Sequence, residues 1–312
     1  MSCLRGDKLL NRVLPSINQL LKFLPVQPLV IASNSLYICP VCREPLQLQP
    51  SAKNYACLHH HSFDVAKEGY LNLLPVQDKH SKEPGDSKLM MMARRLFLEA
   101  GFYEPMAKAV AMMIDVGNTK GQGIQLLDLG CGEGYYSRKI AGFCKHSEQI
   151  ALQGIDIAKF AIAAAAKKQP QAQFVVASSN RLPYADQVFD VVLRVFAPSD
   201  NDELKRVLKP SGYLLTVTPG PRHLWQLKEF IYAEAKEHVS ENEVPQGFEH
   251  LTTQRISYKI TPNPEQRMAL LQMTPFAWRA NESVLQALGS VSELEIETDF
   301  ILTLSLRTRP FC

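Results

Sequence analysis

Three cysteines and a run of histidines near the front of the chain have the spacing of metal ligands. Two residues separate Cys39 from Cys42, fourteen lie between Cys42 and Cys57, and histidines occupy positions 59–61. Three thiolates and one imidazole complete the tetrahedral shell of a structural zinc ion and leave no open position. His60 and His61 both fit as fourth ligand, whereas His59 lies too close to Cys57. The alternative is a set of free core cysteines beside a hydrated histidine run.

A glycine cluster carries the second chemical motif. The run Asp128-Leu-Gly130-Cys-Gly132-Glu133-Gly follows an apolar segment and precedes a helical one. Glycines let the backbone turn tightly and approach a ligand, and the carboxylates suit a cationic methionine amine better than a pyrophosphate. A dinucleotide fingerprint would need another glycine where Tyr135 stands. The alternative is a glycine-rich turn that binds no ligand.

An acidic residue at the end of the next predicted strand adds to this motif. One carboxylate matches two neighbouring ribose hydroxyls, and Asp156 is placed to accept both from an adenosine. The loop and Asp156 together predict a site for S-adenosylmethionine.

The surrounding pattern predicts the elements that position these residues. From residue 124 onward, apolar runs alternate with helical segments of about ten residues. We predict strands at residues 124–129, 151–157, 174–177, 189–196, 213–217, 256–260 and 294–306, and helices at residues 89–98, 105–116, 135–143, 159–168, 201–208 and 264–273. Strands buried on both faces that alternate with helices are typical of a doubly wound, mostly parallel α/β sheet.

Composition restricts the setting and the partners. The 312 residues suffice for one catalytic domain plus a smaller module, and Lys and Arg number 34 against 31 for Asp and Glu. Any nucleic-acid site must therefore be a local patch. No stretch of 18 or more uncharged apolar residues exists, which predicts no membrane span. Cysteines clustered as metal ligands indicate a reducing compartment, so we expect a cytoplasmic protein.

Several longer runs are far more specific than the glycine loop. They include residues 63–75 (FDVAKEGYLNLLP), 127–136 (LDLGCGEGYY), 218–223 (TPGPRH) and 271–279 (LQMTPFAWR). On these runs, which lie in unbroken order within residues 37–306, the chain resembles the RlmA family of 23S rRNA guanine-N1 methyltransferases.

The resemblance implies a class I, Rossmann-like methyltransferase fold preceded by a zinc ribbon that helps to grip RNA. It implies methylation of N1 of a guanine in hairpin 35 of 23S rRNA, with S-adenosylmethionine as methyl donor. Carried onto the matching positions, it implies that the zinc ligands are Cys39, Cys42, Cys57 and His61, and that Tyr103, Tyr136, Ser137 and His223 contact the cofactor beside the loop.

These features predict four segments. Residues 1–35 form a poorly ordered extension, 36–76 the zinc-binding ribbon, 77–118 a connector with helices, and 119–312 the S-adenosylmethionine-binding methyltransferase domain. Basic residues near the ribbon are candidates for phosphate contacts, although a solvated charged face is the ordinary explanation; they are Lys79, Lys82, Arg94 and Arg95.

The acceptor site is less well defined by sequence. Phe196 and Trp278 are candidates to flank the guanine, although both residue types are more often core residues. Asp200 and Asp202 are candidate proton acceptors, and a helix N-cap is an equally good reading of either. No general base is assigned.

Two other functions compete with methylation of rRNA. A methyltransferase for small molecules would share the glycine loop and Asp156, yet it would not need a zinc ribbon. A catalytically silent factor that binds rRNA during ribosome assembly would not need an intact loop. The expected partner is a 23S rRNA hairpin, with no membrane, and a homodimer is one option for the assembly.

Overall fold

A computed structural model describes residues 36–50, 53–78, 85–117, 123–238 and 244–308. The predicted extension at 1–35 and the candidates Lys79 and Lys82 lie outside the described residues. Within the described part of the chain, no helix is long and apolar enough to cross a membrane. The homodimer stays a prediction, because the structure describes one chain.

A small antiparallel sheet forms the front of the described chain. Its strands are β1 (Gln47–Leu48), β2 (Asn54–Ala56) and β3 (Ser62–Asp64), in that order. Two tight turns carry the cysteines and histidines beside this sheet, so the small unit has the form of a ribbon.

An eight-stranded sheet organises the remainder. Its strands are β4 (Leu71–Asn72), β5 (Ile124–Leu129), β6 (Ile150–Asp156), β7 (Gln173–Val176), β8 (Phe189–Val195), β9 (Leu208–Pro219), β10 (Phe248–Ile260) and β11 (Ile296–Arg307). They lie in the order β10-β11-β9-β8-β5-β6-β7-β4. Every pair from β4 to β9 is parallel, whereas β11 runs antiparallel to both β9 and β10. This order confirms the predicted class I architecture.

Helices cover the sheet and bring further residues to its edge. Among the described residues they are α1 (Lys88–Glu99), α2 (Glu104–Gly117), α3 (Tyr135–Phe143), α4 (Lys159–Lys168), α5 (Asn201–Val207), α6 (Trp225–Ile231), α7 (Pro264–Gln272) and α8 (Glu282–Ser290). Capping side chains determine where several of these helices begin. The Ser87 side chain accepts from the Met90 amide at α1, and a capping box joins Asn263 to Gln266 at α7.

Some elements differ from the sequence-based expectation. The helices α6 and α8 are absent from the elements predicted from sequence. Strand β10 begins at Phe248, eight residues before the predicted start at Ile256. It is an edge strand with mostly exposed or half-buried side chains, so its sequence lacks the apolar run that marks the central strands.

The ribbon and the large sheet share one core. Strand β4 leaves the ribbon and pairs in parallel with β7 at the edge of the sheet. The Tyr37 hydroxyl lies 2.9 Å from Gln153 Oε1, a side chain of β6. Cys39 and Cys57 belong to the same buried cluster as Leu127. The side chains of the ribbon therefore pack against the large sheet, on the other side of the boundary predicted at residue 76.

Candidate active site and zinc centre

The cysteines and one histidine of the ribbon converge on a single point. The ligand atoms of Cys39, Cys42, Cys57 and His61 all lie within 4.8 Å of one another. The Cys42 and Cys57 sulfurs are 3.6 Å apart, and the Cys57 sulfur is 3.4 Å from His61 Nδ1. Tetrahedral zinc with ordinary bond lengths requires about 3.8 Å between sulfurs and about 3.5 Å between sulfur and nitrogen. The donor set therefore fits zinc, and His60 is exposed outside the cluster.

Two tight turns aim these ligands. In the first, the Arg43 amide donates to the Cys39 carbonyl at 2.8 Å with Arg43 in the left-handed region (φ 66°). In the second, the His60 amide donates to the Cys57 carbonyl at 3.0 Å, again with positive φ (62°). Left-handed backbone is costly for residues with a side chain, so both turns are conformations that a bound metal would stabilise.

A cavity of about 960 Å³ opens at the carboxyl ends of the central strands. It lies where β5 has β6 on one side and β8 on the other, the point at which the strand order reverses and ligands bind in open α/β sheets. Helix α1 and the turn before it form the opposite wall. Of the predicted site residues, the following line this cavity: Tyr103, Gly130, Gly132, Glu133, Tyr136, Asp156, Phe196 and His223.

The glycine loop forms the floor of the cavity. The Gly130 amide donates to the Ile155 carbonyl at 2.8 Å, and the Gly132 amide donates to Asp156 Oδ2 at 2.9 Å. Gly130 has φ +72°, and a Cβ there would lie 2.6 Å from the Cβ of Ala197. Glycine is required at this position for both reasons.

Asp128 and Ser137 lie beneath the loop and do not line the cavity. Both are buried, and the Ser137 hydroxyl donates to the Asp128 carboxylate. Burial raises the pKa of Asp128 to about 6; the Ser137 hydrogen bond opposes this shift and the Asp156 charge adds to it. Their geometry is that of residues that support the loop from below.

Ion pairs from α1 occupy the acidic side of the cavity. The Arg95 guanidinium forms a two-bond pair with Glu133, in which Nε lies 2.6 Å from Oε2, and Lys168 Nζ is 3.4 Å from the same oxygen. Arg94 binds Asp86 and donates to the Met273 carbonyl at 3.2 Å. Arg94 and Arg95 thus each pair with a carboxylate of this chain, whereas the sequence made them candidates for phosphate contacts.

His223 lies in the wall beside the end of β9. Its Nδ1 accepts from the Asp299 amide at 3.2 Å, and its Nε2 is 3.3 Å from the Tyr103 hydroxyl. A backbone amide can only donate, so Nε2 carries the proton of the neutral ring. Burial lowers the pKa of His223 to about 3, with the nearby His238 contributing in the same direction.

Phe196 directly follows β8 at the rim of the cavity. It has φ 53°, in the left-handed region that bulky residues seldom adopt, and the residue is 42% exposed. Its ring centroid is 5.9 Å from that of His223. A strained, half-exposed aromatic residue at a cavity mouth suggests a functional role.

Three acceptor-site candidates lie elsewhere. Asp200 caps α5 by accepting from the amides of Asp202 and Glu203 at 2.9 and 3.0 Å. Asp202 is exposed and pairs with Lys205 at 2.6 Å. Trp278 is 82% exposed and does not line the cavity, whereas Phe276 of the same short turn does. Asp200 is therefore the N-cap residue of α5, which is one of the two roles considered for it from sequence.

Several cavity residues were missed from sequence. Met91 and Leu98 on α1, His238 after α6 and Phe276 before α8 all line the site. The amphipathic pattern of α1 indicates that one of its faces is buried, but it does not reveal against what. No local signal distinguishes His238 from an ordinary loop histidine.

Comparison with known proteins bears on this geometry. The family described as "RlmA, N-terminal", a zinc ribbon, matches residues 37–82, and a methyltransferase domain family matches residues 120–265. The protein YxjB of Bacillus subtilis (strain 168), provisionally named a 23S rRNA (guanine-N(1)-)-methyltransferase, is 30% identical over 88% of this chain and 98% of its own length. The chain belongs to the RlmA family.

Two further relatives carry related names. A protein of Micromonospora griseorubida, also provisionally named a 23S rRNA (guanine-N(1)-)-methyltransferase, is 32% identical over 80% of this chain and 89% of its own. The 23S rRNA (guanine(748)-N(1))-methyltransferase of Streptomyces fradiae is 29% identical over 79% of this chain and 87% of its own. This RlmA-family chain is a methyltransferase with a zinc-ribbon domain.

The zinc centre can be tested by replacing one ligand. The wild type should contain about one zinc ion per chain, and Cys39→Ser should lose it, because three remaining ligands leave an open shell around a structural ion. Elemental analysis of purified protein measures this. Cys144→Ser is the matched control, since Cys144 is also buried but lies outside the cluster. Full zinc content in Cys39→Ser would contradict the assignment.

The burial of Asp128 predicts that ionisation of its carboxyl group lowers the free energy of unfolding, and that this loss depends on pH. Its pKa is raised from 3.8 to about 6, so ionisation in the folded state opposes folding; the cost is absent below about pH 4 and complete above about pH 6. Asp128→Asn keeps an acceptor for Ser137 and removes the charge. The variant should exceed the wild type by up to about 3 kcal/mol of unfolding free energy at pH 8, from about 1.4 kcal/mol per pKa unit.

Urea unfolding of both proteins across pH 4 to 8 measures that difference. The difference in unfolding free energy should shrink toward zero near pH 4, where Asp128 is neutral in the folded and in the unfolded protein. Loss of zinc at low pH affects both proteins alike and does not change this difference. A difference between the two proteins that stays constant with pH would refute the buried-charge explanation.

Proposed function

We propose that this methyltransferase transfers a methyl group from S-adenosylmethionine to N1 of a guanine in hairpin 35 of 23S rRNA. The observation that carries the proposal is the cavity itself, which has a carboxylate at one strand end and an exposed aromatic ring at another. The names of three relatives that align over most of this chain support the substrate. A substrate in ribosomal RNA would put the reaction in the cytoplasm.

The cofactor end is built on β5 and β6. The Asp156 carboxylate already accepts from the amides of Gly132 and Ala158, at 2.9 and 2.8 Å. Each oxygen retains a lone pair, so the carboxylate can also accept both ribose hydroxyls. The bound cofactor supplies an electrophilic methyl group on a sulfonium. Tyr103, Tyr136 and His223 are proposed to close the site around it.

Glu133 requires a different role from a simple amine ligand. Its carboxylate is held by Arg95 and Lys168, so a methionine amine would have to share or displace the guanidinium. We propose that this pair fixes α1 against the loop and that Arg95 neutralises charge where the methionine end lies. Asp128 and Ser137 keep the loop in place from below.

The acceptor end lies at Phe196. A guanine must be unpaired or leave its stack before N1 can reach a buried donor. The Phe196 ring offers a face on which the base can stack, and Phe276 lines the same cavity. The ribbon is proposed to help grip the RNA.

The proposed reaction is tested with labelled S-adenosylmethionine and unmodified 23S rRNA. A methyl group at guanine N1 blocks base pairing, so reverse transcription should stop at one guanine of hairpin 35. Cofactor binding without label on the RNA would contradict the proposed acceptor and favour methylation of a small molecule. Absence of cofactor binding would favour a catalytically silent factor that binds rRNA.

Phe196→Ala tests the acceptor end in the same assay. It should lower kcat/KM for rRNA about ten- to hundredfold, the size of one lost base stack, and leave cofactor affinity within about twofold. Trp278→Ala, which removes an exposed aromatic ring outside the cavity, is the comparison and should stay near the wild type. Full activity of folded Phe196→Ala would dismiss the stacking role.

A further inference from the structure

One arginine near the end of β8 has hydroxyl groups as its partners and no carboxylate. Arg194 Nη1 donates to the Ser199 hydroxyl at 2.7 Å, and Nη2 donates to the Thr216 hydroxyl at 3.3 Å. Among the described residues no carboxylate pairs with this guanidinium, and burial is the only influence on its pKa, which it lowers. An arginine side chain stays protonated in proteins, so the positive charge of Arg194 is not neutralised within the described part of the chain.

The other arginines around this end of the sheet differ from Arg194 in this respect. Each of them forms an ion pair with a carboxylate; they are Arg94, Arg95, Arg222 and Arg255. A guanidinium that is already paired brings little net charge to an external anion. Arg194 is therefore the arginine of this group whose positive charge is available to a ligand.

The guanidinium of Arg194 is also open to solvent. The residue is half-buried, and its Nε has no partner among the described residues yet is not shut off from water. A guanidinium has five N–H donors, of which the two hydroxyls use two. Donors thus remain for an anion that approaches from outside.

The position of Arg194 links it to the mouth of the cavity. Residues 195–198 line the cavity, and Ser199 then returns to the Arg194 guanidinium, which does not line it. Phe196 is two residues from Arg194, a span of at most about 7 Å in extended backbone. A nucleotide whose base stacked on Phe196 would bring the phosphates on either side of it close to Arg194.

Hydroxyl groups continue from Arg194 across the outer strands of the sheet. Thr216 on β9 lies opposite Thr303 on β11, which in turn lies opposite Thr253 on β10. Residues directly opposite one another on neighbouring strands share a face of the sheet, and the hydroxyl oxygens of Thr303 and Thr253 are 3.4 Å apart. Threonine hydroxyls commonly donate to nucleic-acid phosphates, so this face has the chemistry of a backbone contact beyond Arg194 as well.

We propose that Arg194, together with the hydroxyls of Ser199 and Thr216, binds a phosphate of the RNA strand next to the guanine that is methylated; this rests on the proposed function. The planar guanidinium matches two oxygens of a phosphate, and such charge-assisted hydrogen bonds are stronger than neutral ones. A phosphate contact carries no sequence information. It fixes the register of the strand against Phe196 and does not select the base.

The salt dependence of RNA binding tests this role. Arg194→Gln should bind a hairpin 35 RNA about fivefold more weakly at 0.1 M salt, and the slope of log affinity against log salt concentration should fall by about 0.7, the value for one phosphate of a single strand. Arg194→Lys keeps the charge and should keep the slope. Lys108→Gln is the control for loss of one positive charge and should also keep it, since Lys108 is exposed on α2 and does not line the cavity.

The salt slope separates a phosphate contact from a purely structural role. If Arg194 only held Ser199 and Thr216 in place, its loss would weaken binding equally at every salt concentration. The affinity for S-adenosylhomocysteine should stay within about twofold of the wild type in all three variants, which shows that the fold is intact. An unchanged slope in folded Arg194→Gln would overturn the proposal.

A neutral methylphosphonate in the RNA locates the contact. Placed in turn at each linkage beside the target guanine, it should weaken binding by the wild type at one linkage and cause no further loss there in Arg194→Gln, because the same contact is already missing. Equal losses in both proteins at every linkage would refute the phosphate site. If the wild type neither binds nor methylates this RNA, the proposed function fails together with the site; if it does both and only the Arg194 results fail, the site alone is refuted.

Discussion

The attachment of the glycine loop to the end of β6 is the constraint on which the site depends. Amides of Gly130 and Cys131 donate to the single Ile155 carbonyl at 2.8 and 3.0 Å, and the next amide in the loop donates to Asp156. These bonds turn the backbone sharply at the end of β5 and hold Asp156 in place. Because Gly130 also packs against Ala197, the loop links the cofactor side of the sheet to the rim that carries Phe196.

The N-terminal part of the chain is built onto the same sheet from two directions. The ribbon extends the sheet through β4 and shares its core, so the zinc site is braced by the central strands. Helix α1 closes the cavity from the other side through the ion pair of Arg95 with Glu133 and the hydrogen bond of Arg94 to the Met273 carbonyl. Removing one partner from a partly buried pair leaves an unmatched charge, so α1 and the loop stabilise each other.

Much of this architecture could be predicted from local sequence. Apolar runs predict the central strands, and the glycine cluster with Asp156 indicates the strand ends at which a nucleoside would bind. The spacing predicts the three cysteine ligands of zinc. It does not decide whether His60 or His61 is the fourth ligand, and only the resemblance favours His61. The structure brings His61 to the sulfurs because the turn at His60 points that side chain outward.

The rest depended on contacts between distant residues. Arg94 donates to a carbonyl 179 positions away in the sequence, and Arg95 pairs with Glu133 across 38 positions. The local sequence pattern predicts neither contact. Asp200 matched a base and a helix cap equally well, and only the backbone geometry separates them.

A crystal structure of the protein with S-adenosylhomocysteine would test the central claim most directly, namely that this cavity binds the methyl donor with its reactive end toward Phe196. We expect ribose hydroxyls about 2.7 Å from the Asp156 carboxylate and the sulfur facing the space beside Phe196. A nucleoside bound outside the cavity, or one that leaves Asp156 without a contact, would contradict it.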